Sequence, residues 1–117
     1  MMELSNCIFC KIVAGSAQAR IAYRDEQVTA FHDTSPVTPV HVLVVPNRHI
    51  ASLNEADEDD AALLGYMLLV ARQVAEQEGI ANSGFRVALN TGPDAGQSVF
   101  HVHMHLLGSR KMSFRNQ

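Results

Sequence analysis

Seven consecutive residues, His101-Val102-His103-Met104-His105-Leu106-Leu107, constrain this chain more than any other stretch. Side chains on a strand alternate faces with a period of two. An extended conformation therefore puts His101, His103 and His105 on one face and Val102, Met104 and Leu106 on the other. A helix would scatter the same residues around its circumference. The run follows a loop rich in Gly, Asp and Ser and stops at Gly108, which predicts a strand. The Val/Met/Leu face suits a packed core. No core needs three adjacent imidazoles, so the opposite face is expected to floor a functional site.

With 117 residues, the chain is expected to form a single domain, 1–117, with flexible ends at 1–6 and 113–117. Its 47% hydrophobic and 18% charged residues are those of an ordinary globular protein. The net charge of -3 argues against a broad nucleic-acid or membrane surface. Small phosphate-bearing ligands stay compatible with it, because backbone amides and histidines bind them without net positive charge. No apolar run is long enough to span a bilayer, and Glu3 stands where a secretory signal carries basic residues. A cytoplasmic location is expected. The two cysteines, Cys7 and Cys10, then read as thiols or metal ligands before a structural disulfide.

In chain order, Ile8, Phe9, Ile12 and Val13 form a short helical stripe within Cys7 to Ala14, ended by Gly15. Ile21 to Tyr23 and Val28 to Phe31 predict a hairpin across Asp25-Glu26-Gln27. A turn-rich loop from Asp33 to Pro39 holds Asp33 at a strand end. Val40 to Val45 is a candidate central strand that Pro46 stops. The acidic cluster Glu55, Asp57, Glu58, Asp59 and Asp60 is expected to open the one long helix, where negative charge meets the macrodipole; it needs no catalytic role. The helix's apolar stripe is read as Leu64, Leu68, Ala71 and Ala75, flanked by Leu63, Met67, Val70 and Val74, with Gly79 at a left-handed cap. Phe85 to Leu89 is a further strand, leading through Asn90 to Ser98 into the histidines. The tail from Ser109 to Gln117, with Arg110, Lys111 and Arg115 around Phe114, reads equally as a frayed end or as a segment docking on a partner subunit.

Neutral imidazole can attack through one nitrogen while the other donates a proton. Gly92 to Ser98 supplies glycines that let amides approach an oxyanion, and Ser98 adds a hydroxyl. Together they imply a phosphoryl-type site with a histidine nucleophile and no magnesium-binding carboxylate cluster. A covalent nucleotidyl-histidine splits such a displacement into two steps. His103, flanked by a histidine on either side, is the natural nucleophile, and His105 can donate to a phosphate oxygen. Cys7 and Cys10 have a spacing used for zinc, and His49 and His101 are candidates to complete a closed Cys2His2 site. Two reduced cysteines on a short helix are the alternative.

The histidine run looks like the His-φ-His-φ-His-φ-φ signature of the histidine triad (HIT) nucleotide-binding family, φ being apolar. Phe31-His32-Asp33-Thr34-Ser35-Pro36, His41-Val42-Leu43-Val44-Val45-Pro46 and Asn90 through Ser98 resemble its Hint branch, the purine nucleoside phosphoramidases. The likeness runs from Ile8 to Met112. It implies an α+β, HIT-like fold, a five-stranded antiparallel sheet with one long and one short helix, paired into a homodimer with a continuous sheet. It also implies hydrolysis of adenosine 5'-phosphoramidates or aminoacyl adenylates to AMP and an amine. His103 would become adenylylated, with His105 on the phosphate. Asn90, Gly96, Gln97 and Ser98 would line the phosphate side, and Asp33 would take the ribose hydroxyls. Ile8, Phe9, Ile12 and Phe31 resemble the purine pocket, with Thr34 beside the nucleoside; the residues alone read the first four as core, and nucleotide pockets are themselves largely apolar.

Cys7, Cys10, His49 and His101 resemble a structural zinc site present in some members, which would leave His101 no part in relaying a proton. His41 matches a histidine near the family's active centre, with no role assigned. Two departures stand out. Ser113-Phe114 replaces the His-Trp pair of eukaryotic Hint proteins, so leaving-group preference does not carry over; Thr34 replaces a commoner aliphatic residue. A phosphoramidase without a catalytic metal is thus expected. Its rivals are a nucleotide-binding or scaffolding module with incidental turnover, and a catalytic metal held by all three triad histidines.

Overall fold

The short helix α1, Ile8–Ala14, starts where Cys7 caps it, the sulfur accepting the Cys10 N–H at 3.3 Å. It ends at Gly15, whose φ of 82° is left-handed and open to glycine without strain. These and the following elements come from a computed structural model that describes residues 6–112. Of the expected flexible ends 1–6 and 113–117, residues 1–5 and 113–117, with the Ser113-Phe114 departure, lie outside the described residues, while Asn6 is exposed.

Strands β1 (Ile21–Arg24) and β2 (Val28–His32) form the expected hairpin, closed by Asp25, whose carboxylate accepts the Gln27 and Val28 N–H groups at 2.8 and 2.9 Å. Strand β3 (Val40–Pro46), helix α2 (Ala61–Gln77), β4 (Phe85–Leu89) and β5 (Met104–Gly108) complete the fold. The strands lie in the order β1-β2-β3-β5-β4, every neighbouring pair antiparallel. This is the α+β architecture expected, with the long helix on one face of the sheet and the short helix on the other.

The period of two sorts the strand residues between two cores. Val28, Ala30, Val42, Val44, Met104 and Leu106 pack with Val102 against α2. Phe31, Leu43 and Val45 face the other way, onto Phe9 and Ile12 of α1.

Three local expectations are corrected. The histidine strand begins at Met104, not His101. The β3 register, Val44 opposite Met104, would set Val102 against Pro46, which has no N–H to give a ladder. The Val102 N–H bonds the Ile50 carbonyl at 2.7 Å instead. The alternation nonetheless continues through the irregular segment, with Val102 in the α2 core. The long helix opens after the acidic cluster, at Ala61: Asp57 and Asp60 form a capping box on a 3-10 turn, and buried Asp60 pairs with Arg48. Finally, the buried stripe of α2 is Met67, Val70, Ala71, Val74 and Ala75, whereas Leu68 is 50% exposed and Leu64 half-buried. Gly79 takes the left-handed cap, at φ 78°, with the Ile80 N–H returning to the Ala75 carbonyl at 2.9 Å.

Candidate active site

Strand register draws a line across the α1 face of the sheet: Ile21 pairs with Phe31, Phe31 with Leu43, and Leu43 with His105. His105 thus stands at the polar end of an apolar row. The extended segment before β5 brings His103 beside it, with ring centroids 5.0 Å apart. Phe9 of α1 meets His103 edge-on at 5.1 Å and Phe31 at 5.3 Å, so the helix roofs the row. The space between is a cleft of about 420 Å³ lined by Ile8, Phe9, Ile12, Phe31, Asp33, Thr34, Ser98, His103 and His105, all anticipated from sequence.

Leu43, Val99, Gln18, Ala19 and His32 also line it and were not anticipated. Leu43 was within reach, lying two residues beyond His41 on the same strand and so on the same face. Asn90, Gly96 and Gln97 are not part of this lining. Gln97 is buried, its side-chain Oε1 accepting the Gly92 N–H at 2.9 Å and its side-chain Nε2 donating to the Ala51 and Val99 carbonyls. The Gly96 and Gln97 N–H groups bond the Pro93 and Gly92 carbonyls, both at 3.0 Å. This loop spends those donors on its own closure and presents Ser98 and Val99 to the cleft.

Hydrogen-bond partners assign the tautomers. The His103 Nδ1–H donates to the His101 carbonyl at 2.7 Å, which leaves Nε2 with a bare lone pair. The Val37 N–H donates to His41 Nδ1 at 3.1 Å, so neutral His41 carries its proton on Nε2. That proton is given to His105 Nδ1 at 2.9 Å, with Asp33 Oδ2 3.5 Å away. His105, its Nδ1 accepting, keeps its own proton on Nε2. Burial drives the neutral forms: it lowers His41, and it holds His105 at about 4, helped by the positive charges that His103 and His41 would carry. A bare nitrogen and an N–H donor therefore stand side by side at the head of one cleft.

Behind this pair, Cys7, Cys10, His49 and His101 offer four ligand atoms within 4.8 Å of one another. His101 Nδ1 lies 3.3 Å from Cys7 Sγ, and His49 Nδ1 3.2 Å from Cys10 Sγ. The His101 Nε2–H donates to the Pro46 carbonyl at 2.8 Å, leaving Nδ1 free for a metal. Two thiolates and two imidazoles are a donor set that fits tetrahedral zinc. Without such a charge, burial and the neighbouring Cys7 thiol push Cys10 up to about 11. Asp33, His41 and His105 form a second cluster of potential ligands. There the Val37 N–H holds Nδ1 of His41, so its Nε2 bears a proton and offers no lone pair. Among the described residues, the three triad imidazoles do not converge on one point.

A sheet carrying this histidine cluster beneath a short roofing helix defines a class, and a profile of the HIT domain matches residues 14–112. The chain belongs to the HIT family and is a hydrolase. It is 46% identical over 105 residues to the purine nucleoside phosphoramidase of Escherichia coli strain K12, covering 90% of this chain and 88% of that protein. Its structure resembles that of a HIT family hydrolase from Legionella pneumophila, with a TM-score of 0.93 at 39% identity over 96% of this chain and 100% of the other. A zinc-bound histidine triad family protein from Mycobacterium smegmatis matches with a TM-score of 0.79 at 34% identity, covering 97% and 84%.

Proposed function

We propose that this chain is a purine nucleoside phosphoramidase, cleaving adenosine 5'-phosphoramidates or aminoacyl adenylates to AMP and an amine or amino acid through nucleotidyl-His103. The observation that carries the reading is the pairing of opposite tautomers in one cleft: His103 with Nε2 bare, His105 with Nε2 protonated. For a phosphoramidate, His103 Nε2 attacks phosphorus, the P–N bond to the amine breaks, and the amine leaves as it takes a proton from water. The His105 Nε2–H and the Ser98 hydroxyl donate to the phosphoryl oxygens as charge builds there. Water then attacks the adduct, the bond from phosphorus to His103 breaks, and the water's proton passes to solvent as AMP departs. Asp33 takes the ribose hydroxyls, and Ile8, Phe9, Ile12 and Phe31 hold the base, with Thr34 beside it. Asn90, Gly96 and Gln97 act on the phosphate side through the loop that carries Ser98.

Cys7, Cys10, His49 and His101 would hold a structural zinc, whose charge binds the thiolates and fastens α1 to the segment bearing His103. Paired reduced thiols suit the cytoplasm. A homodimer through a continuous sheet is supported by β4, an edge strand with one ladder unpaired.

Single-turnover mass spectrometry with adenosine 5'-phosphoramidate, quenched early and mapped by peptide, tests the reading. An adenylate on the peptide carrying His103 is expected, and His103→Ala should abolish it while AMP still binds. AMP release without an adduct would overturn the covalent step. Binding of AMP with neither product nor adduct would leave a nucleotide-binding module in place of an enzyme.

A further inference from the structure

The end of β5 carries three features that the cleft does not use. Gly108 has no room for a side chain, since a Cβ there would meet Ile80 Cδ1 at 2.5 Å. Ser109 is the one non-glycine with positive φ among the described residues, at 71°. A serine holds that conformation only when its surroundings impose it. The consequence is the course of Arg110, whose guanidinium donates to the Val37 carbonyl at 2.7 Å across 73 positions of sequence. Val37 is 60% exposed, so its side chain does not anchor the turn on which it sits. Its backbone is held at both ends: the carbonyl by Arg110, and the N–H by donation to His41 Nδ1 at 3.1 Å.

We infer that Arg110 is a positioning residue, which fixes the protonated nitrogen of His105 through Val37 and His41. The inference rests on the phosphoramidase reading for its catalytic consequence, but not for its structural content. Without the guanidinium, the Val37 carbonyl loses that tie, leaving the turn to buried Thr38, whose hydroxyl donates to the Val40 carbonyl at 2.6 Å, and the N–H that reserves His41 Nδ1 as an acceptor is held less firmly. The His41 proton then shifts toward Nδ1, against the pull of Asp33 Oδ2, which lies 3.5 Å from Nε2. His41 Nε2 now faces His105 Nδ1 as a second lone pair, so His105 shifts its proton to Nδ1 to donate to it. His105 Nε2 is left bare toward the phosphoryl oxygen, where it repels the charge it should stabilise. The C-terminal segment after β5 is thereby tied to the donor in the cleft.

The test is the imidazole 15N spectrum of His105 in the wild type, Arg110→Ala and Arg110→Lys, with steady-state kinetics on adenosine 5'-phosphoramidate. The wild type should show the Nε2–H form. Arg110→Ala should shift His105 toward Nδ1–H and lower kcat by roughly tenfold with little change in KM. Arg110→Lys, which keeps a cationic donor, should restore both. An unchanged tautomer in Arg110→Ala overturns the inference, whether or not kcat falls. The spectrum needs no turnover, so a wild type inactive on the phosphoramidate would refute the proposed function while the tautomer comparison still decides this one.

Discussion

Three histidines in one sequence pattern are held in three different ways, and the difference lies in which ring nitrogen is already occupied. The Pro46 carbonyl takes Nε2 of His101 and turns Nδ1 to the thiols. The His101 carbonyl takes Nδ1 of His103 and leaves Nε2 bare, as the proposed attack requires. His41 takes Nδ1 of His105 and leaves Nε2–H to donate. The spacing reveals the shared face but not these assignments, because the partners of His101 and His105 lie on β3, 55 and 64 positions away, and that of His103 is the backbone of its own irregular segment. The same reasoning gives His41, which had no role from sequence, a definite one. His41→Ala should lower kcat and kcat/KM together by about ten- to a hundredfold, because the donor it orients acts on charge that develops in the transition state. Steady-state kinetics on adenosine 5'-phosphoramidate checks this, and a change confined to KM would contradict it.

Among the secondary elements, the strands were the most legible and the phase of the long helix the least. Each strand has β-branched or aliphatic residues bounded by turn formers, and a period of two leaves a single choice of face. Gly15 and Gly79 mark helix ends because only a left-handed residue closes them cheaply. In α2, by contrast, Leu63, Leu64, Met67, Leu68, Leu69, Val70 and Ala71 are apolar nearly all round. Periodicity cannot choose among such faces, and the sheet selects the one where Val70, Ala71, Val74 and Ala75 allow close approach. That choice has a measurable consequence. Met67→Ala should cost about 2–4 kcal/mol in urea denaturation, since its side chain is fully buried. Leu68→Ala should stay within about 0.5 kcal/mol in monomeric protein. Equal losses would restore the stripe read from sequence. The start of β5 was misread for a related reason, as pairing depends on a proline in another strand.

At the scale of the molecule, the sheet divides the labour, with one face sealed by α2 and the other held open by a helix only seven residues long. Cys7 and Cys10 lie at the start of that helix, so a metal there would replace the packing that so short an element lacks. One zinc per chain is expected by elemental analysis, and chelation or Cys7→Ser should lower the melting temperature. Keeping imidazoles neutral in the open face has a cost that appears as pH dependence. His105 titrates at about 4 in the folded protein, from burial first and then from neighbouring positive charge, against about 6.5 when unfolded. Burial shifts His41 the same way. Between these values the unfolded chain binds more protons, so stability rises with pH through the window and is lost as pH falls from about 6.5 toward 4. Asp25 acts further down. Burial opposes its ionisation, but hydrogen bonds from Tyr23, Tyr66 and the Gln27 and Val28 amides outweigh that and bring it to about 2. Its contribution is complete above about 3.9 and is lost progressively as pH falls from there through about 2. Urea midpoints measured from about pH 7.5 down to 4.5 should therefore decline in the wild type. The decline should be shallower in His105→Asn, which keeps Asp25 and the Cys/His cluster and so cancels their contributions from the comparison. Parallel curves for the two proteins would mean that His105 does not titrate with folding, and that its neutral form in the cleft is not imposed by burial.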